Sequence, residues 1–178
     1  MCGLTAIFSY GAGAPPVNQG ELSNISDHMW ARGPDGEGQW ISSDGKVGFA
    51  HKRLAIIDTS DNAAQPMSLF NDEGEDRLVI TYNGEIYNFK SLRDELIAQG
   101  HRFKSNSDTE VLLHLYDRFG DAMLDRLRGM YAFAIWDVHR QGLFLARDPF
   151  GIKPLYYADD GATIRVASQV KALLAGGK

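Results

Sequence analysis

The sequence predicts an α+β fold, a four-layer αββα sandwich with two sheets face to face and helices outside. Three observations lead there. The run Met130 to Trp136, "MYAFAIW", is apolar on both faces of a strand, so neither side can meet water. Two well-bounded amphipathic helices sit in the middle of the chain, among strands rather than after each one. At 178 residues the chain is one domain, 1–178, long enough to bury roughly 70% of its extended surface. Sheet packed on sheet, with helices covering the outer faces, buries such strands on both sides.

Each element follows in order. Residues 2 to 9 alternate weakly and read as a buried strand starting at the cysteine. "NQGELSNISDHMW" places Leu22, Ile25 and Met29 at helical spacing, and that helix stops before "RGPDGEG". Strands are expected at Gln39 to Ser42 and Val47 to Ile57. The polar stretch "DTSDNAAQPMSLFNDEGED" reads as a long loop. Residues 77 to 82, "RLVITY", form a strand that runs into "NGEIYN". A helix follows with Asn88 as N-cap, Leu92, Leu96 and Ile97 on one face, and Gly100 as its stop. The next has Ser107 and Glu110 in capping-box spacing, then Val111, Leu112, Leu115, Tyr116 and Phe119, ending at Gly120. "GMYAFAIWDVHRQGLFLARD" reads as a hairpin. A strand from Thr163 to Ala167 leads into a short C-terminal helix.

Composition narrows the function classes. A net charge of −5 without any Lys/Arg block argues against nucleic acid as a partner. No apolar run approaches the ~20 residues of a membrane span, and no basic segment precedes "CGLTAIF" to make a signal peptide. A single cysteine forms no internal disulfide, which suits a reducing cytoplasm. His28, His51, His101, His114 and His139 have no metal-ligand spacing, so no metal is assigned.

That cysteine stands directly after the initiator methionine. Methionine is removed efficiently before a small residue, and removal would give Cys2 a free α-amine beside its own thiol. An α-amine titrates at about 7.7 to 8.0, so it can take the thiol proton directly or through one water. A buried cysteine as a small hydrophobe is the plainer alternative.

A thiolate attacking an amide needs an oxyanion hole. In "YNGE", Asn83 offers a side-chain amide and Gly84 an unscreened backbone N–H; an ordinary Asn-Gly turn is the competing interpretation. A substrate amino acid would also need its charges held. Arg53 lies in an apolar strand, where a guanidinium is costly unless it meets an anion, and bidentate carboxylate binding suits it; a solvent-facing or ion-paired arginine is the alternative. Asp108 sits in the first turn of a capped helix, where the helix dipole favours an acid whatever the function.

"CG" at the N-terminus, "RGPDG" (32–36), "HKRLAIID" (51–58), "QPM" (65–67), "NGEIYN" (83–88), "SDTEVLLHLY" (107–116), "GMYAFAIWD" (129–137) and "RDPFGIKPLYY" (147–157) occur in that order. Together they resemble the class II glutamine amidotransferase domain, and specifically the N-terminal glutaminase domain of asparagine synthetases. The resemblance covers essentially the whole chain. It implies the αββα fold of N-terminal-nucleophile hydrolases and a glutaminase whose nucleophile matches Cys2 and whose oxyanion hole matches Asn83 and Gly84. By the same resemblance Arg53 binds the substrate carboxylate, Asp108 its ammonium, and Glu85 with the backbone at Leu54 and Ile56 contacts the bound glutamine. Two positions depart from the pattern: Ala31 where many relatives carry histidine, and Gln169 where they commonly carry glutamate.

Glutamine is thus the expected substrate, and an ammonia-accepting synthetase domain or subunit the expected partner, absent from these 178 residues. No cofactor is expected for this domain, since ATP and Mg would belong to the synthetase. The run Met130 to Trp136 and the tail "VASQVKALLAGGK" are expected near that partner. The oligomeric state is left open, a homodimer included. Two rivals remain: a catalytically silent glutamine-binding or scaffold domain if Met1 is retained, and an N-terminal-nucleophile amidase for another amide.

Overall fold

The structure, a computed structural model, describes residues 1–176. Nine strands and four α-helices are present among them: β1 (Gly3–Ser9), α1 (Gln19–Asp27), β2 (Gly36–Ile41), β3 (Val47–Arg53), β4 (Met67–Phe70), β5 (Asp76–Ile86), α2 (Phe89–Ala98), α3 (Asp108–Phe119), β6 (Gly129–Asp137), β7 (Gly142–Arg147), β8 (Tyr156–Asp159), β9 (Thr163–Ala167) and α4 (Val170–Ala175). They form a five-stranded sheet, β2-β3-β1-β9-β8, and a four-stranded sheet, β4-β5-β6-β7, with antiparallel pairing throughout.

Three apolar clusters follow from strand alternation. Leu4 and Ala6 of β1, Val47 and Phe49 of β3, Val79 of β5 and Ala132, Ala134 and Trp136 of β6 share one cluster, so the two sheets meet there. The opposite side chains of β6, Tyr131, Phe133 and Ile135, join Leu92 and Leu96 of α2 and Val111, Leu112 and Leu115 of α3. On the other sheet, Ile7, Ala50 and Ala167 pack against Leu22 and Ile25 of α1 and Leu173 of α4. The doubly apolar β6 therefore finds apolar cover on both faces.

Several expectations need correction. The polar stretch 58–76 is not one long loop but contains β4, and β8 is a further strand beyond those expected; each is a four-residue edge strand that owes its form to one neighbour. β3 ends at Arg53, leaving residues 54–60 irregular. β5 does not stop before Asn83: its ladder continues with Asn83 opposite Ala132 and Gly84 opposite Tyr131. The capping box at α3 is not formed, because Ser107 Oγ accepts from the Thr109 N–H while the Glu110 carboxylate accepts from the Lys104 and Ser105 N–H groups and the Ser105 hydroxyl. Asn88 is the N-cap residue of α2 as expected, but its side chain makes no capping bond; its amide donates to the Arg126 carbonyl and accepts from the Arg128 N–H. Ala132 to Trp136 lie in the core and form no outer surface. The tail does expose Val170 and Leu174 on α4, and its last two residues, 177 and 178, lie outside the described residues.

Candidate active site

All eight residues singled out in the sequence line one pocket: Cys2, Arg53, Leu54, Ile56, Asn83, Gly84, Glu85 and Asp108. The topology explains the convergence. β1 and β3 are neighbours in one sheet, which brings Cys2 beside the segment after Arg53. β5 lies in the facing sheet, and α3 packs its first turn against the end of β5.

The thiol is held by backbone. Cys2 Sγ accepts from the Leu54 N–H at 3.3 Å and lies 3.6 Å from the Leu54 carbonyl oxygen. Arg32, from the turn after α1, donates through Nε to the Cys2 carbonyl at 2.9 Å. Burial pushes the Cys2 thiol up, and the Leu54 N–H, the chain-terminal ammonium, Arg53 and Arg32 offset only part of that rise.

Across the pocket, Asn83 is 1% exposed, and its side-chain Nδ2 has no hydrogen-bond partner among the described residues. An unmet buried donor is expensive, so its persistence in the pocket that holds the thiol is informative. Gly84 follows in the ladder, where a Cβ would stand 2.3 Å from the Met130 carbonyl oxygen and 2.7 Å from Tyr82 Cε2. Only glycine lets β5 and β6 pair that closely here.

Two oppositely charged groups border the pocket. Arg53 ends β3 and donates through Nη2 to the carbonyl oxygens of Asp58 and Ser60, which folds residues 54–60 around it. It is half-buried and forms no ion pair within 4.0 Å among the described residues, so the ion-paired alternative does not hold. Asp108 is buried, and its Oδ2 accepts from the Tyr82 hydroxyl at 2.7 Å and the Ile86 N–H at 3.0 Å. Burial pushes the Asp108 carboxyl up, and those two hydrogen bonds counter it only in part. A cationic ligand would relieve that cost. Ile56 is 70% exposed at the pocket mouth, and Glu85 is exposed beside it.

Sequence reasoning passed over three groups near the thiol: Arg32, Tyr82 and Lys153. The signals were present, since Arg32 opens the turn motif "RGPDG" and Lys153 is a charge inside the otherwise apolar "GIKPL". Among the described residues no group of three or more His, Cys, Asp or Glu could hold a metal. No helix among them is long and apolar enough to cross a membrane.

One pocket thus holds a thiol next to the chain start, a buried amide donor with no partner among the described residues, a cation and an anion. A model of the glutamine amidotransferase domain matches residues 1–178, and the chain belongs to the class II glutamine amidotransferases. Within that family it is a homologue of the glutamine-hydrolysing domain of asparagine synthetases. It is 43% identical over 175 residues to asparagine synthetase [glutamine-hydrolyzing] 1 of Bacillus subtilis, covering 98% of this chain and 27% of that protein. Asparagine synthetase [glutamine-hydrolyzing] 3 of the same organism is 41% identical over 175 residues, covering 98% and 28%. Amidase chry2 of Gibberella zeae is 38% identical over 185 residues, covering 99% and 27%. The chain thus spans between a quarter and a third of the length of these relatives. Among solved structures, the glutamine phosphoribosylpyrophosphate amidotransferase of B. subtilis superposes with a TM-score of 0.83 at 25% identity, covering 99% of this chain and 44% of that one.

Proposed function

We propose that the chain is a glutaminase working through Cys2, on a four-layer αββα fold of the N-terminal-nucleophile hydrolase type. After removal of Met1, the Cys2 amine takes the thiol proton and the sulfur attacks the side-chain carbonyl carbon of glutamine. The carbonyl oxygen becomes an oxyanion that accepts hydrogen bonds from Asn83 Nδ2 and the Gly84 N–H. As the tetrahedral species collapses, the C–N bond breaks and the amine's proton passes to the nitrogen, which leaves as ammonia. Water, deprotonated by the same amine, then cleaves the γ-glutamyl thioester to glutamate and free thiol. Arg53 holds the α-carboxylate and Asp108 the α-ammonium, while Glu85 and the backbone at Leu54 and Ile56 frame the ligand. These steps call on no cofactor.

The observation that supports this reading most is the unpartnered Asn83 Nδ2 in the pocket that holds the thiol. An amidase for another amide would share Cys2 but has no need of both Arg53 and Asp108 in the same pocket. The silent form has a specific observation behind it as well. With Met1 attached the Cys2 nitrogen is an amide, and Met1 itself lines the pocket. That describes the precursor, and processing converts it.

The ammonia would feed an ATP- and Mg-dependent synthetase, aspartate being the leading acceptor because the two Bacillus relatives are named asparagine synthetases. A reducing cytoplasm suits a nucleophilic thiol. The test is labelling with 6-diazo-5-oxo-norleucine. Protein shown by mass to begin at Cys2 should take up one label there and lose glutaminase activity in step, whereas Met1-retaining protein should bind glutamine without turnover. Turnover with Met1 demonstrably attached would refute the N-terminal-base mechanism.

A further inference from the structure

Lys153 is 4% exposed, yet among the described residues it forms no ion pair within 4.0 Å. Lysine is rarely buried unpaired, because an ammonium loses its hydration and gains nothing in exchange. Among the described residues its one side-chain hydrogen bond goes to the Met1 thioether, and the residue lines the pocket that holds Cys2.

Its place is built by the backbone. The Asp148 carboxylate accepts from the N–H groups of Tyr131, Phe150, Ile152 and Lys153, which winds residues 148–153 into a fixed turn. Gly151 completes that turn at φ +65°. The segment therefore aims a cation at the chain start, and removal of Met1 would take away the one hydrogen-bond partner its ammonium has among the described residues.

We propose that Lys153 is a positioning residue for the thiol, its buried ammonium holding the Cys2 amine neutral and the Cys2 sulfur anionic at lower pH. The proposal rests on the glutaminase reading and deepens it. A neighbouring cation disfavours a second ammonium and favours a thiolate, so both effects have the sign that an N-terminal base needs. The charged groups facing this point come from every side: Arg32 from the turn after α1, Glu85 from β5, Asp148 from its own loop, and Arg53 from β3 toward the thiol. Burial and Arg32 lower the Lys153 ammonium's own proton affinity, while Cys2, Glu85 and Asp148 raise it, which ties Lys153 and Cys2 electrostatically.

The experiment compares processed wild type with Lys153→Met, Lys153→Gln and Lys153→Arg. As Cys2 is the only cysteine, the pH dependence of iodoacetamide alkylation reports its thiol alone and needs no substrate. In parallel, kcat/KM and KM for glutamine are measured against pH. Lys153→Met and Lys153→Gln should move the alkylation midpoint and the acidic limb of kcat/KM up by about one pH unit, with KM within about twofold at the plateau. Lys153→Arg should keep both near wild type. Unmoved midpoints in a folded neutral variant would overturn the proposal, as would Lys153→Arg failing like Lys153→Met. If the alkylation midpoint moves but wild type hydrolyses no glutamine, the glutaminase reading falls and the role of Lys153 stands. If wild type is active and the midpoint stays put, the reverse holds.

Discussion

Replacing Asn83 by alanine separates chemistry from folding. The amide faces the pocket from the middle of the β5–β6 ladder, and its Nδ2 has no partner among the described residues. Losing an oxyanion donor of this kind costs about 3 to 4 kcal/mol of transition-state stabilisation, so kcat should fall by about 10² to 10³. KM should change little, because the developing negative charge exists only in the transition state. The stability ledger runs differently. Alanine removes a buried unmet donor, a relief of about 1 to 3 kcal/mol, and gives up packing of similar size. The backbone bonds to β6 are unaffected. The net change should lie within about 1 kcal/mol, or under about 4 °C in thermal midpoint for a chain of this length. Steady-state kinetics on processed protein and a thermal melt on the same preparation measure both quantities. A kcat within tenfold of wild type, or an activity loss that tracks a fall of about 10 °C or more in the midpoint, would show that Asn83 is structural.

Three further outcomes are expected. Asp108→Asn should raise KM for glutamine by about 10- to 100-fold through loss of the ammonium partner, without destabilising the fold, because burial already disfavours the charged carboxylate; hydrolysis of glutaramate, which lacks the α-amino group, should be nearly unchanged, and equal damage to both substrates would make the residue structural. Gly84→Ala should destabilise by about 1 to 3 kcal/mol or more as well as inactivate, since its Cβ meets the Met130 carbonyl oxygen and Tyr131 Cα across the ladder; a thermal midpoint equal to wild type would contradict that packing. His51 is fully buried between the sheets with Nδ1 3.1 Å from Thr81 Oγ1, and burial, aided by Arg53, lowers its pKa to about 3. The unfolded chain therefore takes up this proton first, near pH 6.5, and stability should fall by about 1.4 kcal/mol per unit as pH drops from there toward 3. Urea titrations between pH 4 and 7 should show a shallower slope for His51→Gln, with the buried His114 adding a residual slope of the same sign; an unchanged slope would count against His51.

What the sequence alone determined about this protein is what short-range pattern encodes. The limits of α2 and α3 come from the spacing of Leu92 and Leu96 and of Val111, Leu112 and Leu115, closed by Gly100 and Gly120. The double burial of β6 is written in its unbroken apolar run, and the candidate nucleophile in its place next to the chain start. Tertiary structure decided everything that depends on a partner far along the chain. β4 and β8 are strands because β5 and β9 supply their ladders, a contribution that four residues cannot announce. β5 runs through Asn83 and Gly84 because β6 is long enough to pair with them, which turns an apparent turn into a rigid wall of the pocket. Asn88 and Glu110 bond to groups outside their own helices, the Arg126 carbonyl and the Lys104 N–H, which the fold brings to them. Arg32 and Lys153 reached residues 2 and 1 across 30 and 152 positions, and no local periodicity carries that information. Hydrogen bonds and charges act over ångströms in space, and only the packing of the two sheets fixes which residues are that close.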